Sequence, residues 1–499
     1  MKTKKLGSDR QLSGVDRRDF VKSFAAAGLA VAIDASPLIA AAAPGSRRKR
    51  YAIVGVGIRS RMFQNAIETT FRDEAELVAI CDLNPGRIEA SRRQSVENKA
   101  PPPPGYRHTD FEKMIQEVRP DHVIVTTPDG LHDEYIVRAL EAGCDAISEK
   151  PLTTTAEKCQ RILDAKRRTG RRIRVTFNNR YSPIRTQMKE LLMSGEIGDV
   201  QSVDLRWVLN THHGADYFRR WHSRKKNSGG LLVHKSTHHF DLINWWLGAV
   251  PVSVQASGKR EFYTPATARR FGLQGHHERC HTCPEKDACA FFLDIAANPM
   301  LKALYLDNEQ HDGYFRDQCV WRPEIDIEDS MGLLVRYDTG ATLTYSLNAF
   351  CSWEGHSVAF NGTLGRLEYD MVESGYLSGL GGGRDQPIAL RIRLTPLRGA
   401  PRQIEPWPAP GPHLGGDEIM LKDLFLPDPP PDKYLRAADE RAAAASALIG
   451  IAANRCFETN RPVAISELVT GLARPDYAPM PSRTGPLPMP PRTEPRRYL

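Results

Sequence analysis

The sequence predicts an α/β fold built on a parallel sheet in the first third of the chain, and three observations carry this prediction. Short apolar segments with strand character alternate with a helical segment at close spacing, which is typical of βαβ units. The first apolar segment runs directly into a glycine turn, and the second ends in an acidic residue. In chain order these segments are the strands 51–54, 76–82, 121–128 and 145–151, with a helix at 135–142.

The glycine turn and the acid match a dinucleotide-binding fingerprint, G-x-G-x-x-G followed by an acid about 20 residues further on. Gly55 allows the tight turn, Gly57 lets the backbone approach the pyrophosphate, and Ser60 replaces the third glycine with another small residue. We expect Asp82 to accept hydrogen bonds from the ribose hydroxyls and to repel a 2′-phosphate, which favours NAD over NADP. A glycine turn in another kind of α/β sheet is the alternative interpretation.

Length and composition limit the remaining possibilities. A chain of 499 residues predicts two to three domains, and 41% hydrophobic with 26% charged residues excludes general disorder, collagen and a polytopic membrane protein. The net charge of +8 is concentrated at the N-terminal end, because residues 1–43 carry +3 and the run 47–50 carries +4. The rest of the chain carries only +1, which argues against a nucleic-acid-binding face. Nine cysteines are too few for a disulfide scaffold.

The first 43 residues have the order of an export signal. Paired arginines at 17–18 precede an apolar stretch at 24–33, and alanines at 40–43 offer a cleavage site. This order predicts a twin-arginine signal peptide at 1–43, passage through the Tat translocase and a periplasmic location. The apolar stretch is too short for a stable membrane span, and an uncleaved tail is the alternative. At the other end of the chain, residues 471–499 form a proline-rich tail.

Several motifs together resemble one family of oxidoreductases, the glucose–fructose oxidoreductase, inositol dehydrogenase and MocA (Gfo/Idh/MocA) family. The most specific motif is Glu149-Lys150-Pro151 after a predicted strand, and the ordered set is more specific than any member. The likeness extends over residues 48–470. The motifs are Gly55-Val-Gly57-Ile-Arg59, Thr127-Pro128-Asp129-x-x-His132, Glu149-Lys150-Pro151-Leu152, Phe177-Asn178-Asn179-Arg180-Tyr181-x-Pro183, and the segments 195–198, 234–241 and 437–463.

The resemblance implies a Rossmann domain at 48–175, followed at 176–470 by an open, mostly antiparallel β-sheet domain with helices on one face. It also implies an NAD(P)-dependent oxidoreductase that acts on a sugar, a sugar derivative or a glycoside by hydride transfer, and the open sheet leads us to expect a homo-oligomer. The residues expected to bind the cofactor are Gly55, Gly57, Arg59, Ser60, Asp82, Thr127, Pro128, His132, Glu149 and Lys150. The residues expected to bind the substrate are Asn178, Arg180, Tyr181, Trp221 and Asp241.

Members of the family typically act through a lysine, an aspartate and a histidine. Lys150 matches the lysine and His238 the histidine, but position 234, where the family usually has Asp, is His. A helix over 231–241 would place His234, His238 and Asp241 on one face. His238 can take a hydroxyl proton near neutral pH, and Lys150 can hold the oxygen or share the proton. His234 can orient His238 or contact another hydroxyl.

Other roles stay open for these residues. Each histidine can be a buried structural residue, and Lys150 can pair with Glu149 or contact the cofactor. A metal bound by His234, His238, His239 and Asp241 is a further alternative, because imidazole is a common zinc ligand.

A cysteine-containing insert at 258–325 is not part of the family pattern. Cys280, Cys283 and Cys289 have C-x2-C-x5-C spacing, and Cys319 follows 30 residues later. This spacing is compatible with a structural zinc or Fe–S site. Two disulfides are the competing interpretation for an exported protein, and free thiols are the third.

The predicted location constrains the chemistry. The periplasm holds no soluble NAD pool, so we expect a cofactor that is loaded before export, stays tightly bound and is recycled on the same protein. The leading hypothesis is therefore a sugar or glycoside oxidoreductase with bound NAD. The first alternative is a redox-neutral NAD-dependent glycoside hydrolase, and the second is a non-catalytic sugar-binding or scaffold protein on the same fold.

Overall fold

The computed structural model of the chain describes residues 47–375 and 389–492, and its contacts group the residues from Arg48 onward into one unit. The predicted export signal at 1–43 lies outside the described residues. All named strands of the described ranges belong to two sheets. Within those ranges, no helix is long and apolar enough to cross a membrane.

The first sheet is parallel and confirms the predicted N-terminal architecture. Its six strands are β1 (Lys49–Val54), β2 (Ala75–Asp82), β3 (Gly105–Arg107), β4 (His122–Val125), β5 (Asp145–Ser148) and β6 (Ile173–Val175). Their spatial order is β3-β2-β1-β4-β5-β6. The helices between them are α1 (Ser60–Asn65), which continues into a π-helical turn at Ala66–Thr70, α2 (Pro85–Glu97), α3 (Phe111–Val118), α4 (His132–Glu141) and α5 (Ala156–Thr169).

Strand burial and local caps explain this arrangement. Ala52, Ile53 and Val54 of β1 are at most 1% exposed, as expected for a central parallel strand that is covered on both faces. Asn84 and Thr155 cap α2 and α5 by accepting hydrogen bonds from first-turn amides. The strand order changes direction between β1 and β4, and ligands of such sheets bind outside the carboxyl ends of the strands at this point.

The second sheet is mostly antiparallel, which confirms what the family resemblance implied. Its nine strands are β7 (Val200–Asn210), β8 (Pro251–Lys259), β9 (Ser330–Tyr337), β10 (Thr342–Cys351), β11 (Glu354–Gly362), β12 (Gly365–Ser374), β13 (Ala389–Pro396), β14 (Arg402–Ile404) and β15 (Val463–Ala464). Their order is β14-β13-β12-β11-β7-β10-β9-β8-β15. Among the described strands of this sheet, β7 and β10 are the parallel pair.

The helices of the second part of the chain include the segment that holds the predicted site residues His234 and His238. They are α6 (Pro183–Met193), α7 (Thr211–Arg219), α8 (Lys225–Ser228), α9 (Leu231–His234), α10 (Thr237–Leu247), α11 (Pro265–Arg270), α12 (Pro299–Leu304), α13 (Gly416–Phe425) and α14 (Glu440–Thr459). The long helix α14 packs on β8 and on α9 and α10. A Cβ on Gly450 of α14 would lie 2.4 Å from the carbonyl oxygen of Leu232, so the missing side chain permits this close approach. The contact fixes α9, and with it His234.

The predicted insert at 258–325 occupies the connection between β8 and β9. Its two arms meet at an antiparallel bridge between Arg279 and Gln318. Beside this bridge, the amide of Cys280 donates to the carbonyl of Asp317 at 2.8 Å. Helices α11 and α12 and a 3-10 turn at Leu306–His311 lie within the insert, and the turn packs beside α2 of the first domain.

Two segments near the C-terminus return to the body of the protein. Helix α13 lies against the first sheet, where the rings of Phe425 and Tyr51 have centroids 5.1 Å apart. Residues 471–492 of the predicted proline-rich tail contain no helix or strand. They are nevertheless packed, because the buried Lys189 Nζ donates to the sulfur of Met480 at 3.0 Å.

Candidate active site

Lys150 lies just beyond the carboxyl end of β5, where functional groups of a parallel sheet collect. Its Nζ donates to the carbonyl oxygen of His234 at 3.1 Å and lies 3.4 Å from Nε2 of the same residue. Burial lowers the pKa of Lys150 to about 8, and the carboxylates of Asp129 and Glu149 oppose part of this shift. The amine therefore points at one imidazole, and the lysine side chain is partly buried.

His234 is held from its other side by Asp129. Nδ1 of the ring lies 2.5 Å from Oδ2 of Asp129, and both side chains are buried. Because the ammonium of Lys150 has only donors, the Nε2 that faces it is an acceptor, which places the ring hydrogen on Nδ1.

The protonation of this pair follows from its burial. Burial and the charge of Lys150 lower the pKa of His234 well below its usual value, so the ring is neutral. Burial raises the pKa of the Asp129 carboxyl, and the positive charge of Lys150 opposes part of this shift. Lys150, His234 and Asp129 thus form one continuous array.

The helix that carries His234 is interrupted, so the predicted continuous helix over 231–241 is wrong at 235–236. Helix α9 ends at His234 and α10 begins at Thr237. The amide of Ser236 donates to the carbonyl of Leu231, five residues earlier, which is the bonding of a π-bulge. The bulge changes the helical phase between His234 and His238.

His238 follows the bulge and has a different environment from His234. Its ring lies edge-on to Phe177 at 5.7 Å between centroids. Burial, with the positive charges of Lys150 and Lys235, lowers the pKa of His238 well below its usual value. The ring is thus a neutral imidazole. Its Nδ1 is buried and has no hydrogen-bond partner among the described residues.

An aromatic wall made of Tyr217, Trp221 and His222 lies beside this array. The rings of His222 and His234 are 4.2 Å apart, and Trp221 stacks on His222 at 3.6 Å. Tyr217 stands edge-on to both imidazoles. Trp221 is only partly buried, so this predicted substrate-binding residue keeps exposed ring surface beside the array.

The predicted substrate contacts of Arg180, Tyr181 and Asp241 need correction. Nε and Nη2 of Arg180 donate to the two carboxylate oxygens of Asp241 at 2.7 and 2.5 Å, and both side chains are completely buried. The hydroxyl of Tyr181 donates to Asp423 at 2.6 Å. These groups are committed to protein partners, because a buried charge or hydroxyl needs one.

Asn178, the remaining predicted substrate residue of this motif, also contacts protein. Its side-chain amide donates to Oδ1 of Asp417 at 2.7 Å. Oδ2 of the same carboxylate lies 2.6 Å from Nδ1 of His413. The contact ties the segment before α6 to the start of α13.

The glycine turn has the shape that a dinucleotide site requires. Gly55 has a φ of +86°, and a Cβ there would lie 2.7 Å from the amide nitrogen of Thr127. A Cβ on Gly57 would meet nothing closer than the hydroxyl of Tyr305, at 3.4 Å. Ser60, at the third position, donates its hydroxyl to the carbonyl of Gly57 at 2.7 Å and so closes the turn.

Asp82 ends β2 beside this turn. Its Oδ2 accepts from the amide of Val56 at 2.7 Å, and its Oδ1 accepts from the amide of Asn84 at 2.7 Å and from Nε of Arg87 at 3.1 Å. An ionised carboxylate has about four acceptor sites, so Oδ2 keeps capacity for a ribose hydroxyl. Arg87 is also bound by Asp312 at 2.6 Å, so two carboxylates neutralise the arginine that could otherwise hold a 2′-phosphate.

The other predicted cofactor residues connect the loops around the site. Nε of Arg59 lies 2.6 Å from Oε1 of Glu149, which links the glycine turn to the lysine loop. The ring nitrogens of His132 lie 2.7 Å from the carbonyl of Pro151 and 3.0 Å from the carbonyl of Thr127. His132 is buried between the two loops, and Pro128 precedes the 3-10 turn Asp129–Leu131.

The four cysteines of the insert line one cavity together with hydrophobic residues that include Trp321. All four are free thiols in the structure, and Sγ of Cys280 accepts from Nη1 of Arg219 at 2.9 Å. Across the described ranges, no group of three or more His, Cys, Asp or Glu side chains is placed to hold a metal ion. The structure therefore gives no support to the predicted zinc or Fe–S site, nor to the metal site at 234–241. The cysteines that line this cavity are Cys280, Cys283, Cys289 and Cys319.

Sequence reasoning gave no role to Asp129, His222 or Arg87. Asp129 lies in the Thr127-to-His132 motif, but its partner is 105 residues away in the chain. The signal that could have found it is chemical. A buried histidine that replaces an aspartate at position 234 needs a new acceptor for its ring hydrogen.

Comparisons with known proteins agree with this geometry. Residues 49–177 match the model of the GFO_IDH_MocA oxidoreductase family's NAD-binding Rossmann fold, and residues 189–465 match the model of the same family's C-terminal alpha/beta domain. YteT of Bacillus subtilis (strain 168), which is named as an oxidoreductase, is 35% identical over 429 residues, 83% of this chain and 98% of YteT.

Two further proteins are similar to this chain, one in sequence and one in fold. D-glucoside 3-dehydrogenase of Escherichia coli (strain K12) is 27% identical over 45% of this chain and 61% of its own length. The crystal structure of the WlbA dehydrogenase from Bordetella pertussis, in complex with NADH and UDP-GlcNAcA, is similar with a TM-score of 0.55 and 18% identity, over 84% of this chain and 99% of that one. At this identity the structural match establishes the fold alone.

Proposed function

This chain belongs to the Gfo/Idh/MocA family of NAD-binding oxidoreductases that act on sugars, and we propose that it oxidises a secondary hydroxyl of a sugar, sugar derivative or glycoside by hydride transfer. The observation that carries the proposal is the Lys150–His234–Asp129 array, with His238 one turn further along the chain. The similarity to a D-glucoside dehydrogenase supports a carbohydrate substrate. NAD, when bound, supplies the hydride acceptor.

In the proposed mechanism, His238 takes the proton of the reacting hydroxyl. Its neutral ring is ready to accept a proton, and its lowered pKa keeps it unprotonated at neutral pH. Lys150 donates a hydrogen bond to the same oxygen and stabilises the negative charge that develops there. His234 and Asp129 are positioning residues, because they hold the amine of Lys150 through Nε2 and the carbonyl of His234.

The residues around the glycine turn fit a dinucleotide. The missing side chain of Gly57 lets a pyrophosphate approach the backbone beside the hydroxyl of Tyr305, and Oδ2 of Asp82 keeps capacity for a ribose hydroxyl. Pairing of Arg87 with Asp82 and Asp312 removes its free charge, which favours NAD over NADP. Arg59 and Glu149 join this turn to the loop of Lys150.

Export and tight cofactor binding belong to the same proposal. The paired arginines at 17–18 and the following apolar stretch support passage through the Tat translocase to the periplasm. There the enzyme would keep its NAD and return the hydride to the same molecule or to a second substrate. Such recycling would also permit redox-neutral cleavage of a glycoside. The open second sheet supports assembly into a homo-oligomer.

The experiment uses the full-length protein and a panel of free sugars, inositols and aryl glycosides. With at least one member we expect absorbance at 340 nm to rise by no more than one NADH per bound cofactor, and a keto-sugar to form in the same amount. Lys150→Met should abolish both signals. Aglycone release without accumulation of NADH would favour the hydrolase. Binding of sugars without turnover, with NAD bound, would favour a non-catalytic protein.

A further inference from the structure

The insert between β8 and β9 reaches the dinucleotide turn of the first domain. Helix α12 and the 3-10 turn Leu306–His311 pack against α2, more than 200 residues earlier in the chain. Ile58, in the glycine turn, donates its amide to the hydroxyl of Tyr305 at 3.4 Å. We use "clasp" for residues 299–314, the part of the insert that makes these contacts.

Two further hydrogen bonds hold the clasp on the rim of the same site. The side-chain amide of Asn84, the cap of α2, donates to the carbonyl of Asn308 at 2.8 Å. Nη2 of Arg87 donates to Oδ2 of Asp312 at 2.6 Å. Asn84 and Arg87 are also the residues that bind Asp82, so the clasp contacts the groups that surround the expected ribose position.

The hydroxyl of Tyr305 lies beside the glycine turn. It lies against Gly57, where a Cβ would be 3.4 Å from it, and this is the glycine whose missing side chain opens the space for a pyrophosphate. The hydroxyl accepts from Ile58, so its own hydrogen remains available to an acceptor. A phosphate oxygen in that space is such an acceptor.

Each carboxylate of the clasp has a cationic partner. Asp312 pairs with Arg87, Glu309 pairs with Arg279, and Asp307 pairs with Lys302. The clasp is also anchored, because Arg279 binds Asp317 at the base of the insert. Ion pairs to both domains therefore hold the segment in place before any ligand arrives.

We propose that Tyr305 is a cofactor-binding residue and that the clasp retains the dinucleotide, so that NAD leaves this enzyme slowly. This inference rests on the proposed function, since it presumes that NAD occupies the glycine turn. The clasp would have to give up its contacts with Ile58, Asn84 and Arg87 before the nucleotide could leave. A retained cofactor suits an enzyme that recycles its hydride on one protein.

The test measures nucleotide release. The full-length protein is loaded with NAD labelled in the adenine, freed of excess, and chased with unlabelled NAD. We expect slow release from the unaltered protein and release on the order of ten-fold faster from Tyr305→Phe, because one hydrogen bond to a charged group is lost. Tyr305→Ala should release faster still. Asp164→Asn is the control, because Asp164 is exposed, pairs with Arg167 within α5 and lies outside the clasp, so its release rate should not change.

The possible outcomes separate the two claims. Equal release rates for the unaltered protein and for both folded Tyr305 variants would overturn the role of the clasp. Slower release or tighter binding in Tyr305→Phe would also overturn it, because the hydroxyl would then compete with the cofactor. If the unaltered protein holds no nucleotide and binds no added NAD, the proposed function fails instead. Thermal melting of each variant shows whether it has folded.

Discussion

Nδ1 of His234 lies 2.5 Å from Oδ2 of Asp129, and this contact joins helix α9 of the second domain to the loop after β4 of the first. In the family that this chain resembles, the position of His234 is usually an aspartate. In this chain the imidazole of His234 lies between Lys150 and the carboxylate of Asp129. The amine therefore faces a neutral ring, while burial lowers its pKa to about 8 and the carboxylates of Asp129 and Glu149 oppose part of the shift.

Asp129→Asn should lower kcat on the order of 10²-fold and leave KM nearly unchanged. The amide cannot replace the carboxylate as the acceptor for Nδ1 without turning, so His234 loses the orientation that holds Lys150. The loss of a nearby negative charge should also lower the pKa of Lys150 further. Steady-state kinetics with the substrate found in the panel measure both constants.

Asp133→Asn is the control for this variant. Asp133 is also buried, four residues further along, but it pairs with Lys158 and Arg161. It should lower Tm without a comparable loss of kcat. Equal losses of kcat in the two variants would contradict a specific role for Asp129.

The pH dependence of kcat should reveal which state of Lys150 works. Lys150 is expected to act as a protonated donor, so kcat should fall as the pH rises through about 8. His238 must be neutral, and its pKa lies well below 6.5, so the acid limb should begin below that value. Lys150→Arg should move the alkaline limb to higher pH if it retains activity. A kcat that rises through pH 8 would identify Lys150 as the base and contradict this mechanism.

Asp241→Asn should destabilise the protein by about 3–5 kcal/mol, because it leaves the buried guanidinium of Arg180 without its partner. Chemical denaturation measures this loss. The double change Arg180→Met with Asp241→Leu should recover much of it. A folded Asp241→Asn protein of normal stability with a raised KM would restore the predicted substrate role.

Asp82→Asn should reduce the preference for NAD over NADP by about ten-fold or more, since it removes one carboxylate that neutralises Arg87 and repels a 2′-phosphate. Titration of both nucleotides against the protein freed of its cofactor gives the two Kd values. Tighter binding of NADP by the unaltered protein would contradict the predicted selectivity.

Local patterns explain why the first domain could be predicted. The apolar residues of β1 and β2, the turn at Gly55 and the acid at Asp82 are each visible within a few residues. The periodicity of a strand and the residues that form a turn are local features of the sequence. They can therefore be recognised without knowledge of the tertiary structure.

The site was predictable only in part. The positions of Lys150 and His238 followed from the family motifs, but the pairing of His234 with Asp129 depends on two domains meeting. The π-bulge at Ser236 depends on a single shifted hydrogen bond, to Leu231. The spacing of hydrophobic residues in the sequence does not reveal such a bond. Arg180 looked available to a substrate because its buried partner is 61 residues away.

The most direct test of the central claim is the nucleotide content of the full-length protein, purified after export and then denatured. The account predicts about one NAD or NADH for each chain in the released fraction, identified by chromatography and enzymatic cycling. Absence of nucleotide, together with no binding of added NAD to the folded protein, would contradict the assignment of this chain as an NAD-dependent sugar oxidoreductase.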